Sequence, residues 1–380
     1  MIHILHIANS YGGTEVYRNL VQSIDREGVR QTIYVPLNPN NHDRIGRHLV
    51  DFEVVGSRVI YSTALKRYHK YLYRRKVKRC VDDLLSRVDI REISLIQAST
   101  LCVDGAVAYE IHKRYNIPFV VAVRNTDSAY YRSFPIYARY FDVVAKAASK
   151  LIFISPSYLR RYERFGDRDS VVVPNGVDNH FFGVDSGLRT LHSPVRLIFS
   201  SAFMVGKNLR EVLLAIDILK KRGYDIHFKA YGRGLPFRKE SPKYLREVEQ
   251  LAQGKSNVEL LDYISKDELK VEVRDSDIFV MPSKPETFGL VYIEALLQGL
   301  PIVYARGEGF DGYYPDGYVG YAAESFNVED IADKIELTIK NYNQITANIA
   351  GEELSERFQW SAIAKQYLAI YEAIIKIGKR

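Results

Sequence analysis

The chain has 380 residues, 47% of them hydrophobic and 26% charged, with a formal net charge of +7. That composition excludes a disordered chain, and the length exceeds one ordinary domain, so two are expected. The two cysteines, Cys80 and Cys102, exclude a disulfide framework and a cysteine metal site. No apolar run approaches the roughly 18 residues of a transmembrane helix, and residues 2–8 lack the charged lead and cleavage site of a signal peptide, so a cytoplasmic location is expected. Charge is uneven: residues 1–190 carry 28 Lys and Arg against 19 Asp and Glu, and residues 191–380 carry 25 against 27. The first half should therefore meet an acidic surface or partner.

Residues 1–7 read as a buried first strand, followed by a loop to Glu15 and a helix over 16–24. Gly12 and Gly13 in that loop let a backbone approach a ligand closely. The apolar runs at 31–36, 93–98, 119–123 and 151–154 alternate with helical stretches, the pattern of a parallel sheet wrapped by helices. Arg124, Asn125 and Asp127 follow the strand 119–123 at its C-terminal end, where open α/β sheets bind ligands. Residues 182–194 have the composition of a linker.

The second half starts again with a strand at 195–200, a loop ending in Lys207 and Asn208, and a helix over 211–221. Strands at 227–230 and 258–261 lead into the turn Gly232-Arg233-Gly234 and the segment Asp262-Tyr263-Ile264-Ser265. A short strand at 277–281 then meets the loop Pro282-Ser-Lys-Pro-Glu286, which cannot continue it. The following helix is predicted to start near Phe288 and to stop at Gly299 and Pro301. Leu290, Ile293 and Leu297 recur at helical spacing, and the other apolar positions fill most of the circumference, so this helix is buried. Glu294 and Gln298 share its one polar sector. A carboxylate there needs hydrogen-bond donors, which ligand hydroxyls would supply. Its lean toward the helix N-terminus brings it toward Glu286 and the backbone amides of Phe288, Gly289 and Leu290, an end that attracts anions.

Glu286, seven residues, then Glu294, within PETFGLVYIEAL and before Gly-Leu-Pro, resembles the signature of the family 4 retaining glycosyltransferases. The resemblance continues through the Gly12-Gly13 loop, VVVPNGVD at 171–178, the Gly-x-Gly-x-Pro turn at 232–236 and Trp360 before a terminal helix. It implies two Rossmann-like domains of the GT-B type facing each other across a cleft: residues 1–182 on the acceptor side, 195–357 binding the nucleotide sugar, and a helix over 358–380 returning to the first domain. It implies glycosyl transfer from a UDP- or GDP-linked sugar with retained configuration.

By the same resemblance Lys207 faces the diphosphate and Glu286 orients the transferred sugar, the two catalytic residues. Glu294 takes the ribose hydroxyls, and Tyr263 and Ile264 hold the base. Gly12, Gly13, Gly232, Arg233, Thr287, Phe288, Gly289 and Leu290 complete the donor pocket. Arg124 stands where relatives often have His and is either a sugar or phosphate contact or a plain surface arginine. Ala202 replaces a usual arginine, and residues 307–320 are a degenerate form of the family's second glycine-rich loop, with no clearly placed acidic residue. No Asp-x-Asp pair occurs in these segments, so neither metal nor other cofactor is expected. An epimerase or phosphorylase could use the same pocket. A nucleic-acid-binding protein would account for the basic half but not for Glu286 and Glu294.

Residues 65–79 hold eight Lys and Arg and no acid, with Leu65, Tyr68 and Leu72 at helical spacing. The expectation is one amphipathic helix lying on an anionic membrane surface, which would bring the enzyme to a saccharide or lipid-linked acceptor of surface-polysaccharide or glycolipid synthesis.

Overall fold

Strands β1 (His3–Ile7) and β5 (Phe119–Val123) are buried at every position, as strands of a parallel sheet covered on both faces must be. Even the two histidines of β1 comply. His3 meets Thr32 Oγ1 at 2.9 Å, and burial pushes both His3 and His6 down to about 4, so they stay neutral. The computed structural model describes residues 1–124, 127, 133–162, 169–183, 187–235 and 241–377.

Internal contacts divide the chain into two units. The first comprises 1–154, 158–176 and 357–380. Its sheet adds β2 (Arg30–Pro36), β3 (Arg58–Ser62), β4 (Leu95–Ala98), β6 (Lys150–Phe153) and β7 (Ser170–Val172), in the order β3-β2-β1-β4-β5-β6-β7, all parallel. The second comprises 155–157 and 177–356. It holds β8 (Val195–Ser200), β9 (Ile226–Tyr231), β10 (Val258–Leu261), β11 (Ile278–Val280), β12 (Ile302–Ala305) and β13 (Gly320–Ala323), in the order β10-β9-β8-β11-β12-β13, again parallel. Each sheet runs outward from its first strand in one direction and then in the other, leaving a switch point beside β1 and beside β8.

The helix Trp360–Ile377 belongs to the first unit. Trp360, Ile363, Tyr367 and Tyr371 bury against Ile4, Leu20, Ile24, Leu95, Val120 and Ile152. Among the described residues no helix is long and apolar enough to cross a membrane.

Several expectations change. Residues 182–194 are tethered rather than linker-like in their described parts: Arg189 donates to the carbonyls of Arg274, Ser276 and Gln298, and His192 Nδ1 lies 2.7 Å from Asp277. Residues 65–79 do not form one helix. A 3-10 turn, Arg67–Lys70, precedes the helix Tyr73–Leu85, and Leu65 is buried in the core. The helix after β11 begins at Leu290, because Gly289 takes φ +84 as its N-cap, and it ends at Leu296. β3, β12 and β13 carry no sequence expectation; their short runs become strands only when a neighbouring strand supplies the ladder.

Candidate active site

The switch point of the second unit opens between the loops that follow β8 and β11. Lys207 stands on the first loop and Glu286 on the second. Lys207 Nζ lies 2.7 Å from Glu286 Oε2, with both side chains largely withdrawn from solvent. Two further bonds stitch the loops together: the Lys284 N–H donates to the Gly206 carbonyl at 2.7 Å, and the Asn208 amide donates to the Pro282 carbonyl at 2.6 Å.

Glu286 is fixed from every side. The Ser283 hydroxyl donates to Oε2 at 2.9 Å and the Thr287 N–H to Oε1 at 3.0 Å. Its own N–H donates to Glu308 Oε2 at 3.0 Å, and its carbonyl accepts from the Gly309 N–H at 3.0 Å. The degenerate glycine-rich loop therefore does place its acidic residue: Glu308, 3% exposed, clamps the loop that carries Glu286. Beneath it the Tyr292 hydroxyl donates to the Met281 carbonyl and lies 3.3 Å from Ser283 Oγ. Phe288 is buried in an aromatic cluster with Tyr313. Neither Glu308 nor Tyr292 was legible as a site residue, because both act through backbone or through Ser283.

Glu294, half-buried on the helix Leu290–Leu296, has no hydrogen-bond partner among the described residues. Burial pushes its carboxyl up to about 7; Lys266 opposes the shift and Asp178 adds to it. Asp178, from the PNGVD motif, is itself paired with Lys266 at 3.2 Å. Gln298 does not share a ligand-facing sector with Glu294. It lies beyond the helix, 1% exposed, and its amide donates to the Phe181 carbonyl at 2.9 Å.

The loops after β9 and β10 bring Arg233 and Tyr263 together, the guanidinium 5.5 Å from the ring centre. The Phe203 N–H donates to the Arg233 carbonyl at 2.9 Å, which joins the Gly232 turn to the segment after Ala202. A Cβ on Gly232 would fall 1.9 Å from the Ser201 carbonyl oxygen, which accounts for the glycine. Ile264 is half-buried. Pro236 of the same turn lies outside the described residues.

The remaining predicted residues sit in the first unit. Gly12 and Gly13 end a 3-10 turn, and the space in front of both is filled by Arg44, whose Cβ would stand 2.9 Å from a Cβ on Gly12. Their missing side chains make room for Arg44. Arg124 lies over the Tyr17 ring at 4.8 Å and donates to the Ser99 carbonyl at 3.2 Å. Asp127 receives the N–H groups of Cys102 and Arg124, both at 2.9 Å; Asn125 lies outside the described residues. Asp104, unnoticed in the sequence, ties the loop after β1 to the loop after β4 by accepting from Asn9 and Thr100, and burial pushes its carboxyl up to about 7.

Two family models match successive parts of this chain: "Glycosyltransferase Family 4" matches residues 11–181 and "Glycosyl transferases group 1" matches residues 190–357. The chain belongs to the family 4 glycosyltransferases. A curated relative, an uncharacterized glycosyltransferase of Methanocaldococcus jannaschii, is 26% identical over 76% of this chain and 77% of its own length. A sulfoquinovosyl transferase of Arabidopsis thaliana is 34% identical, over 31% of this chain and 24% of its own. Among solved structures, sucrose-phosphate synthase of Thermosynechococcus elongatus superposes with a TM-score of 0.74 at 17% identity, covering 99% of this chain and 100% of that one. The Anabaena protein HepE in complex with UDP gives 0.69 at 17% identity, covering 98% and 100%. These glycosyltransferase neighbours share the GT-B fold with this one.

Proposed function

We propose that this glycosyltransferase moves a hexosyl group from a nucleoside diphosphate sugar, UDP- or GDP-linked, to a saccharide or lipid-linked acceptor, with retained anomeric configuration and without metal or other cofactor. The observation that carries the reading is the Lys207–Glu286 pair at the switch point of the second unit. When the sugar leaves, negative charge grows on the diphosphate, and an ammonium already fixed beside the reacting centre stabilises it without reorganising. Lys207 supplies that charge, so the reading calls for no divalent cation. Glu286, held by Ser283, the Thr287 N–H and Lys207, presents a fixed acceptor to the sugar hydroxyls.

Glu294 would take the ribose hydroxyls. It is a carboxylate short of donors, and a vicinal diol supplies two. Arg233, Tyr263 and Ile264 offer an exposed cation and ring for the base, and Thr287, Phe288, Gly289 and Leu290 wall the diphosphate. The UDP bound by HepE supports a nucleotide donor.

The role we assign is bacterial surface-polysaccharide or glycolipid biosynthesis at the inner face of the plasma membrane. Its support is the first unit's exposed tip, where Tyr68, Tyr71 and Leu72 are 49%, 75% and 38% exposed among Lys66, Arg67, Lys70, Arg74 and Arg75. A thermal-shift panel of UDP-, GDP- and ADP-sugars identifies the donor, and NMR of the product reads its anomeric configuration. No shift with any of them, or an inverted product, would overturn the reading.

A further inference from the structure

The loops that follow β2 and β3 line a half-open pocket of about 680 Å³ in the first unit. Lys66, Arg67, Lys70, Asn38 and Asn41 line it, with Lys76 from the helix Tyr73–Leu85. Lys76 is 7% exposed. Among the described residues its ammonium has neither a hydrogen bond nor an ion pair, and Lys66, Arg67 and Lys70 have no carboxylate within 4.0 Å. Asp104 is near enough to feel Lys76, yet its oxygens accept from Asn9 and Thr100 instead.

Four cations converging on one pocket repel one another, and Lys76, the least exposed of the four, holds its ammonium toward the pocket without a partner. Three other withdrawn lysines are paired: Lys207 with Glu286, Lys229 with Glu272, and Lys255 with Asp217. The described residues supply no anion to this pocket, which leaves the place open to a bound one. A single carboxylate would neutralise one of the four, whereas a phosphate or diphosphate brings several charges and several acceptor oxygens for the ammonium, guanidinium and amide donors. The pocket also lies beyond the C-terminal ends of β2 and β3, the edge where open α/β sheets receive ligands. Lys76, unlike its exposed neighbours, is too withdrawn to meet a flat membrane surface, so the pocket takes a group that enters it.

We propose that this pocket binds a phosphate or diphosphate group with Lys76 at its base, and that the group belongs to the acceptor. The second clause rests on the glycosyltransferase reading given above; the anion site does not.

Inorganic pyrophosphate titrated calorimetrically into the whole chain carrying Lys207→Ala isolates this event from the donor pocket. We expect saturable binding that weakens about tenfold or more when Lys76→Met is added. Methionine fills the space of the alkyl stem, and the melting temperature monitors folding. If that variant does not fold, Lys66→Gln with Lys70→Gln, both exposed, must weaken binding instead. Unchanged affinity in the folded variant overturns the proposal.

Phosphatidylcholine vesicles doped with a polyprenyl phosphate or with phosphatidylglycerol separate the sources. Selective loss of the polyprenyl phosphate vesicles by Lys76→Met assigns a lipid-linked phosphate, and loss of pyrophosphate binding alone assigns a soluble one. Equal loss of both vesicle types refutes a built site. Failure of the donor reading shows separately, as an absent thermal shift with every nucleotide sugar while pyrophosphate still binds.

Discussion

Lys207 Nζ and Glu286 Oε2 stand 2.7 Å apart across 79 positions of chain. Each holds the other in place, and the loops that carry them are joined independently through Lys284 with Gly206 and through Asn208 with Pro282. Removing the lysine therefore removes a charge without releasing the loop. Lys207→Ala should lower kcat on the order of a hundredfold, as loss of one preorganised donor does, with a smaller change in donor KM. Steady-state kinetics with the donor found in the thermal-shift panel checks it; a kcat within about threefold of the parent would assign the leaving-group charge to another cation.

Glu294→Gln should raise donor KM roughly tenfold to a hundredfold and change kcat less, because its bonds go to a part of the donor that does not react. The ligand-free protein should respond in the opposite sense. Burial raises this carboxyl from 4.5 to about 7, so between those values the folded state holds a proton that the unfolded chain releases. This group's contribution to stability is greatest below 4.5, falls as pH rises to about 7, and stays low above it. The melting temperature of Glu294→Gln should therefore gain on the parent as pH rises through that window. Parallel melting curves across it would dismiss the burial effect.

Tyr292→Phe should cost about 1 kcal/mol of stability, because the Met281 carbonyl loses one of two donors in a buried site and keeps only the Ser283 N–H. Ser283 loses a neighbour at the same time, so kcat should fall although Tyr292 touches no substrate. Denaturant unfolding and kinetics on one preparation test both halves.

In the first unit, Gly176 of the PNGVD motif lies against the Trp360 indole, and a Cβ there would fall 2.4 Å from the ring. The ring is 6% exposed among Ile4, Leu20 and Tyr367 and cannot yield. Gly176→Ala should destabilise the protein by about 1–3 kcal/mol, the usual cost of overpacking. A paired variant with Trp360→Phe should recover part of it; no recovery would place the strain elsewhere.

Vesicle co-sedimentation tests the exposed tip. Binding should rise with anionic lipid, fall with salt, and drop when Tyr71 and Leu72 become Ser or Arg74, Arg75 and Lys78 become Gln. Lys76 is left out of this set because it is buried. Salt-independent binding would set the membrane role aside.

Pattern over short distances was enough for most of the scaffold. β5 and β8 begin and end where their apolar runs do, because a strand covered on both faces admits few polar residues. The spacing of Glu286 and Glu294 and the loop lysine at 207 were visible for a related reason: each sits at the boundary between a buried run and a turn, where a charge stands out. Lys76 and Glu308 stood out in no such way. Both are charged residues in polar or glycine-rich surroundings, where exposure is the ordinary outcome, and both are buried. Glu308 owes this to the Glu286 N–H, 22 positions away, and the setting of Lys76 to loops from two other strands. Burial of a charge depends on which distant groups the sheet order brings beside it, and sheet order is a property of the packed whole.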